Sequence, residues 1–254
     1  MKKLGIILLI VFLSVGLLNL PFRNKIDPGA YPVYIDYGLL NQEQIRVMDA
    51  ILLCGKSDST VVEHDLSSAE FEQVIDGIGL YFGANLTHQN VALWRPGYGE
   101  VNPELLRRLE QDKTILDQKI DQILSGMYEG SDRFKLWQIS RFLAKTIKYS
   151  YKLNDIEPLS GLAGRGSCMT YAMLFYKMAA RLGIPVQICY GYADNGKQVA
   201  MHAWNAVILD GTQYFYDVTW YDNFVPDWQY IHSKTPWNRE NITQWRIKNE
   251  ENLH

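Results

Sequence analysis

The segment from Gly164 to Trp220 constrains the fold more than any other part of the chain. Residues 168–182 are mostly apolar, which predicts a helix that is buried against other structure. This helix ends at Gly183, and Pro185 follows two residues later. Glycine just after a helix and proline shortly beyond it are strong signals of a helix end. The sequence therefore predicts a buried helix with a sharply defined end.

Three strands are predicted after this helix. Runs rich in apolar residues cover 186–192, 201–209 and 213–220. Turn residues separate them, with Asp-Asn-Gly at 194–196 and Asp-Gly at 210–211. A two-residue Asp-Gly turn between strands is a strong hairpin signal. Strands joined by tight turns pair in antiparallel fashion.

Cys168 stands at the start of the predicted helix, directly after a loop that contains Gly164 and Gly166. Unpaired backbone N–H groups and the helix dipole stabilise an anion at this position, which lowers the pKa of a cysteine thiol. The pattern indicates a nucleophile whose own backbone N–H could bind a developing oxyanion. We expect the glycines to leave room for a substrate backbone. The alternative is that Cys168 is a small packed hydrophobic residue.

The predicted hairpin brings a histidine and an acid to one face of the sheet. A two-residue turn at 210–211 places Asp217 opposite Trp204. It places His202 opposite Thr219. His202 and Asp217 then become diagonal neighbours with Cα atoms about 7–8 Å apart, which one side-chain hydrogen bond can span. This is the base and orienting acid that nucleophilic catalysis requires, although each residue alone is usually structural.

Three sequence blocks resemble the transglutaminase-like superfamily. The cysteine, histidine and aspartate that they contain are separated by 34 and 15 residues, which fits the order of that family's motifs. One departure is Val218, where family members often have proline. The blocks are Gly164–Pro185, Gly191-Tyr192 with His202–Gly211, and Tyr216–Trp220, within a match over roughly 130–225.

The resemblance implies an α+β fold of the papain-like type, in which the cysteine helix packs on an antiparallel sheet. It implies that Cys168 is the nucleophile, His202 the general base and acid, and Asp217 the orienting residue. It implies no cofactor and a protein or peptide substrate. Hydrolysis would make the protein a peptidase or amidase, and transfer to an amine would make it a transglutaminase. An inactive binding module is the third reading.

Several further residues near these motifs receive roles. Tyr149 and Tyr151 precede the cysteine helix and are candidates for the second oxyanion donor, or else core tyrosines. Trp204 is predicted to form a wall of the cleft. Asp222, Asn223 and Asp227 form a loose acidic cluster that is predicted to be solvated.

The first half of the chain reads as a mostly helical region without recognisable chemistry. Helices are predicted over 41–54, over 67–82 and from Pro103 onward, with short strands at 60–66 and 91–94. Another helix begins at Ser131 and leads into the second half. The predicted division is 1–25 as a signal segment, 26–129 as the mostly helical region, and 130–254 as the transglutaminase-like core with its C-terminal tail.

The N-terminus resembles a secretory signal. Lys2 and Lys3 precede the apolar run Leu4–Leu20, whose 17 residues would extend about 26 Å as a helix. A membrane core is about 30 Å thick, so the run is marginal as a span. An uncleaved anchor, a cleaved signal and a buried core helix all stay open. The first two place the protein outside the cytoplasm, anchored to the membrane or secreted.

Charge and metal-ligand patterns exclude other classes of function. The net charge is −3, and residues 1–25 carry four basic residues and no acid, so the remainder is more acidic still. Nucleic acid is therefore not the expected partner. The five histidines and three cysteines form no metal-ligand spacing, and no calcium loop is recognisable, so no metal is predicted. Cys54 and Cys189 are predicted core residues, with a disulfide between them left open.

Overall fold

The computed structural model describes residues 25–28, 40–57, 59–84, 86, 91–150, 152, 157–194, 199–223, 228–234 and 245–247. The apolar run Leu4–Leu20 lies outside the described residues. Within the described ranges, we find no helix with the length and apolar character to cross a bilayer.

The first part of the chain packs two helices against a small antiparallel sheet. Its elements are α1 (Gln42–Cys54), β1 (Val61–Glu63), α2 (Ser68–Phe82), β2 (Ala92–Arg95) and β3 (Tyr98–Val101). Both helices begin with a capping box, in which Asn41 and Ser67 each exchange hydrogen bonds with the residue three positions later. The strands follow the order β1-β3-β2. Residues from these elements bury one hydrophobic cluster.

Two longer helices lead into the second part. They are α3 (Pro103–Ser125), capped by Asn102, and α4 (Asp132–Thr146), capped by Ser131. Leu106 and Leu109 of α3 join the first cluster, whereas Leu116, Ile120 and Leu124 join a larger second one. The long helix α3 therefore connects the two hydrophobic clusters.

The second part of the chain is a helix packed on a five-stranded sheet. Short elements come first: β4 (Lys148–Tyr149), α5 (Pro158–Leu162) and β5 (Arg165–Gly166), with β4 and β5 paired in parallel. The central helix α6 follows (Cys168–Arg181). The sheet strands are β6 (Val186–Asp194), β7 (Val199–Leu209), β8 (Thr212–Tyr216), β9 (Ile231–Ser233) and β10 (Trp245–Ile247), in the order β10-β6-β7-β8-β9. The predicted fold class, helices with an antiparallel sheet, is confirmed.

The hairpin between β7 and β8 has the predicted register. Leu209 pairs with Thr212, and the ladder continues to Asn205 opposite Tyr216. Asp210 and Gly211 both have positive φ angles, of 50° and 71°. Two central residues in this conformation make the type I′ turn, whose twist matches that of the flanking strands.

The third predicted strand is too long, and this is a correction. It ends at Tyr216 rather than at Trp220, and a short helix, α7 (Val218–Asn223), follows. Asp217 causes the change, because its Oδ1 accepts a hydrogen bond from the backbone N–H of Trp220 at 2.9 Å. An aspartate in that arrangement is a helix N-cap. Thr219 therefore lies in α7 and does not pair with His202.

The far end of α6 is fixed to the first part of the chain through Tyr81 and to the connecting helix α3 through Asp121. Lys177 donates a hydrogen bond to the carbonyl of Tyr81 at 2.9 Å, and Arg181 pairs with Asp121 at 2.8 Å. Burial lowers the pKa of Lys177 to about 8, against the opposing effect of Asp117. Since Cys168 is at the other end of α6, these contacts hold the helix from the end remote from the thiol.

Candidate active site

Cys168 is the first residue of α6, and close packing fixes the turn before it. The backbone N–H of Ser167 donates to the Thr170 hydroxyl at 3.1 Å. A Cβ atom on Gly166 would lie 2.6 Å from the Thr170 side chain, and one on Gly161 would lie 2.5 Å from it. Real Cβ contacts essentially never approach so closely, so only glycine fits at these two positions. Thr170 fills the space that we expected Gly166 to leave for a substrate.

His202 and Asp217 form a buried pair. The Nε2 atom of His202 lies 2.6 Å from Oδ2 of Asp217, and their side chains are 9% and 1% exposed. The second carboxylate oxygen of Asp217 caps α7, as described above. Both oxygens of this carboxylate are thus engaged, which fixes its orientation. Asp217 in turn fixes the plane of the imidazole ring.

The Cys168 thiol completes the arrangement. It lies close enough to the imidazole of His202 and to the backbone N–H of Ala203 for both groups to stabilise its thiolate and lower its pKa. Because Nε2 of His202 faces Asp217, Nδ1 is the ring nitrogen left for the sulfur. The structure therefore brings together the three residues singled out from the sequence, across separations of 34 and 15 positions along the chain.

The electrostatics of this group favour charge separation. Burial alone would raise the pKa of Cys168, but the hydrogen bond and positive charge of His202 outweigh it, and the pKa lies below its ordinary value. For His202, burial acts to lower the pKa, but the charge and hydrogen bond of Asp217 raise it to about 10. Between these two pKa values the pair exists as a thiolate and an imidazolium.

The other two cysteines have the opposite character. Cys54 and Cys189 are buried, and burial raises the pKa of both thiols. All three cysteines are free. Cys54 belongs to the first hydrophobic cluster and Cys189 to a small cluster with Trp204, Ala206 and Phe215, so the disulfide left open by the sequence is not formed.

Two tryptophans lie parallel to the His202 ring. Trp204 is 3% exposed, and its ring centroid is 5.9 Å from that of the imidazole, at an interplanar angle of 23°. Trp220 from α7 is nearer, at 5.2 Å and 21°. The predicted wall residue Trp204 is therefore a buried neighbour of the histidine. Trp220 was missed because its segment was assigned to a strand.

The predicted oxyanion candidates divide between described and undescribed residues. Tyr151 lies outside the described residues. Tyr149 of β4 pairs with Gly166 of β5, and its side chain packs against the larger hydrophobic cluster. There its charge contributes to the raised pKa of Tyr171. A donor role for either tyrosine stays a prediction.

Two further residues near the site were missed or misjudged. Tyr190 contacts Met169 through its hydroxyl, which lies 3.4 Å from the thioether sulfur. Burial raises the pKa of Tyr190, and the charge of the neighbouring Cys168 adds to this rise. Asp222 is not solvated as predicted, because its carboxylate lies 2.6 Å from the hydroxyl of Tyr171 on α6. Burial accordingly raises the pKa of Asp222. Its place in α7, a helix missed in the sequence, explains the error.

A cluster of metal-ligand side chains is not found among the residues that the structure describes. In these ranges, no group of three or more histidine, cysteine, aspartate or glutamate side chains is placed to hold a metal ion. What the arrangement can do chemically is to supply a nucleophilic sulfur and a proton donor beside it.

Comparison with known proteins places the site within a region that matches a family model. Residues 121–220 match the family model of the transglutaminase-like superfamily. Cys168, His202 and Asp217 all lie within this range. No curated protein gives a significant match.

Two solved structures resemble parts of the chain. One is a candidate cysteine protease from Cytophaga hutchinsonii, 17% identical with a TM-score of 0.36, covering 44% of this chain and 38% of that one. The other is described as a TGase, 15% identical with a TM-score of 0.39, covering 62% of this chain and 49% of that one. The chain thus spans less than half the length of either structure.

Proposed function

We propose that this protein is a thiol enzyme that cleaves or transfers amide acyl groups on proteins or peptides, with hydrolysis as the favoured outcome. The observation that carries the proposal is the contact of the half-buried Cys168 with His202, which is itself held by Asp217 at 2.6 Å. A cysteine that served only as packing would have a raised pKa, as Cys189 does. Cys168 has a lowered one.

The reaction follows from the charges of this pair. The Cys168 thiolate attacks the carbonyl carbon of an amide, and a tetrahedral intermediate forms with negative charge on the carbonyl oxygen. The C–N bond then breaks, and the His202 imidazolium gives its proton to the departing amine. A thioester on Cys168 remains. Neutral His202 next takes a proton from water as the water attacks the thioester. The C–S bond then breaks, the acid is released, and the thiolate–imidazolium pair is restored.

The acceptor of the acyl group distinguishes the two enzymatic outcomes. Water gives a peptidase or amidase, and a primary amine such as a lysine side chain gives a transglutaminase. Both outcomes use the same thioester. We favour water because the signal-like segment at 1–25 suggests action outside the cytoplasm, on extracellular proteins or cell-wall peptides, and because no calcium loop is recognisable.

An acceptor assay tests this preference. The full-length protein is incubated with a glutamine peptide and a labelled primary amine, and mass spectrometry follows both substrates. We expect release of ammonia or of peptide fragments without incorporation of the amine. Incorporation would contradict the hydrolase assignment but leave the thiol chemistry standing. If the peptide stays unchanged across a varied peptide library, acylation of Cys168 by a p-nitrophenyl ester decides whether the site is reactive at all.

Selective alkylation distinguishes an enzyme from an inert module. We expect iodoacetamide at pH 6.5 to modify Cys168 and to leave Cys54 and Cys189 unmodified, because Cys168 alone has a lowered pKa. Peptide mapping after a timed exposure measures each cysteine separately. Equal modification of the three residues, or modification of Cys168 only above pH 8, would favour the inert reading.

Replacing Asp217 is expected to be less damaging than replacing the nucleophile. Asp217→Ala leaves Cys168 and His202 in place but removes the group that orients the ring and raises its pKa. We expect the acylation rate to fall by roughly 10²–10⁴-fold, with residual activity still above that of Cys168→Ala. Because Asp217 also caps α7, Asp217→Asn is the matched variant, since it preserves an oxygen for the cap. Complete loss in a folded Asp217→Asn protein would contradict the orienting role.

A further inference from the structure

The side chain of Asn205 donates hydrogen bonds to two elements that pack against its own strand, the helix α6 and the strand β6. It lies in β7, three residues after His202, and is 1% exposed. Its Nδ2 donates to the carbonyl of Ala172 in α6 at 3.0 Å and to the carbonyl of Gln187 in β6 at 3.2 Å. A side-chain amide carries two N–H hydrogens, so each carbonyl can receive one.

The position of Ala172 gives this bond its significance. Ala172 follows Cys168 by four residues, so the two lie on the same side of α6, about 6 Å apart along the axis. His202 lies on the same strand as Asn205, roughly 10 Å away. The bond from Asn205 to Ala172 therefore joins the strand that carries the imidazole to the helix that carries the thiol, one turn from the thiol itself.

The hydrogen bond from Asn205 to Gln187 orients the one from Asn205 to Ala172. Asn205 pairs with Ile188 in the ladder between β6 and β7, and its bond to Gln187 crosses the same pair of strands. This contact holds the plane of the amide, so that its other N–H is aimed at α6. Asn205 thus links three elements of the second part of the chain, which are its own strand β7, the neighbouring strand β6 and the helix α6.

Apolar packing alone would leave a degree of freedom at this interface. α6 meets the sheet through residues such as Phe175, Ala203 and Val207, which are 4% exposed or less. Such contacts fix the separation of the layers but have no preferred direction along the helix axis. A hydrogen bond weakens steeply with distance and angle, so it fixes the axial position as well. The bond between Cys168 and His202 has the same sensitivity.

We propose that Asn205 is a positioning residue that sets the distance and angle between the Cys168 sulfur and the His202 ring. This inference rests on the proposed function, in which that pair performs the chemistry. Asn205 itself touches neither the thiol nor the imidazole through the contacts described. It acts through α6 and β7, and its loss should alter the thiolate–imidazolium pair while leaving the fold intact.

The test measures the pH dependence of Cys168 alkylation in two variants. Asn205→Leu keeps a side chain of similar volume but has no donor, and Asn205→Asp keeps the shape but replaces the donors with acceptors. We expect the midpoint of the alkylation profile to rise by about one pH unit in both, so that alkylation at a pH below the wild-type midpoint slows by about tenfold. Peptide mapping assigns the modification to Cys168, and circular dichroism establishes that each variant is folded.

Ser140→Ala is the matched control. Its buried hydroxyl also donates to a helix carbonyl, that of Leu136 in α4, at 2.8 Å, but it joins no two elements. We expect this variant to keep the wild-type profile even if its stability falls. If Asn205→Leu does not fold, Asn205→Ser takes its place, because one short hydroxyl cannot serve both carbonyls.

The outcomes separate this inference from the proposed function. A wild-type profile typical of an ordinary thiol would contradict the proposed function itself. A low wild-type midpoint that is unchanged in Asn205→Leu would overturn the positioning role while leaving the function standing. A shift in Asn205→Asp alone would also overturn it, because the introduced charge rather than the lost bond would be the cause.

Discussion

Replacing Cys168 with alanine is expected to abolish covalent catalysis. No other described cysteine has a lowered pKa or contacts a histidine, so no second thiol can take its place. Loss of a nucleophile typically costs on the order of 10⁴–10⁶ in rate. The measurement is the burst of p-nitrophenolate that accompanies formation of a thioester from a p-nitrophenyl ester, with mass spectrometry to locate the acyl group.

Cys189→Ala is the control for this experiment. Cys189 is fully buried near Trp204, so the variant removes a thiol from the same sheet without touching the site chemistry. We expect it to keep a full burst and a single acylated residue. An acyl group that appears on Cys54 or Cys189, or a burst that survives in Cys168→Ala, would show that the reactive sulfur has been misassigned.

Replacing His202 with alanine is expected to have the second largest effect. His202 supplies the hydrogen bond and positive charge that lower the pKa of Cys168, and without them burial would raise it above its ordinary value. A thiol with a pKa of about 8.5 is roughly 1% ionised at pH 6.5, so alkylation there should fall steeply, with about 100-fold as the upper limit. Turnover should fall further, by roughly 10²–10⁴-fold for the lost proton transfer alone.

The pH dependence of Cys168 alkylation is expected to differ between the wild type and His202→Ala. In the wild type, alkylation should begin at a pH below the ordinary pKa of cysteine and then stay nearly level, because the ion pair persists until His202 loses its proton near pH 10. In His202→Ala the rate should instead climb about tenfold for each pH unit through neutrality. His232→Ala is the control, because His232 bonds Tyr216 outside the reactive group. A level profile in His202→Ala would contradict the thiolate–imidazolium pair.

Local signals predicted much of the second part of the chain. The glycine and proline after the central helix predicted its end, which the structure places at Arg181. The turn at 210–211 predicted the register of the hairpin, because two residues of its type leave one pairing of the flanking strands. Since side chains alternate along a strand, this register was enough to place His202 and Asp217 on one face.

Other features depend on contacts that no local pattern encodes. The approach of Cys168 to His202 requires α6 to pack across the sheet at one angle and height, which depends on the whole interface. The stacking of Trp220 on His202 depends on the helix that Asp217 caps. An aspartate after aromatic strand residues can continue a strand or cap a helix. Asp217 ends β8 and caps α7, while its other oxygen bonds His202, and no local pattern predicts this combination. The role of Asn205 was missed for the same reason.

For the first part of the chain, the sequence predicted individual helices and strands but not how they pack together. Capping residues such as Ser67 and Asn102 predicted where two of its helices begin. How it packs against the rest could not be predicted. Lys177 bonds the backbone carbonyl of Tyr81, 96 positions away, and Arg181 pairs with Asp121 of the connecting helix α3, 60 positions away. These contacts stabilise the end of α6 that is remote from Cys168.

The turn at Asp210-Gly211 sets a limit on how this hairpin can change in length. Surface loops commonly accept insertions, but one added residue here would exchange the two faces of β8 and turn the Asp217 carboxylate away from the imidazole. Two added residues would restore the face yet draw the acid away from its partner along the strand. A two-residue surface turn, distant from the sulfur, is therefore as intolerant of indels as a buried core position is of substitution.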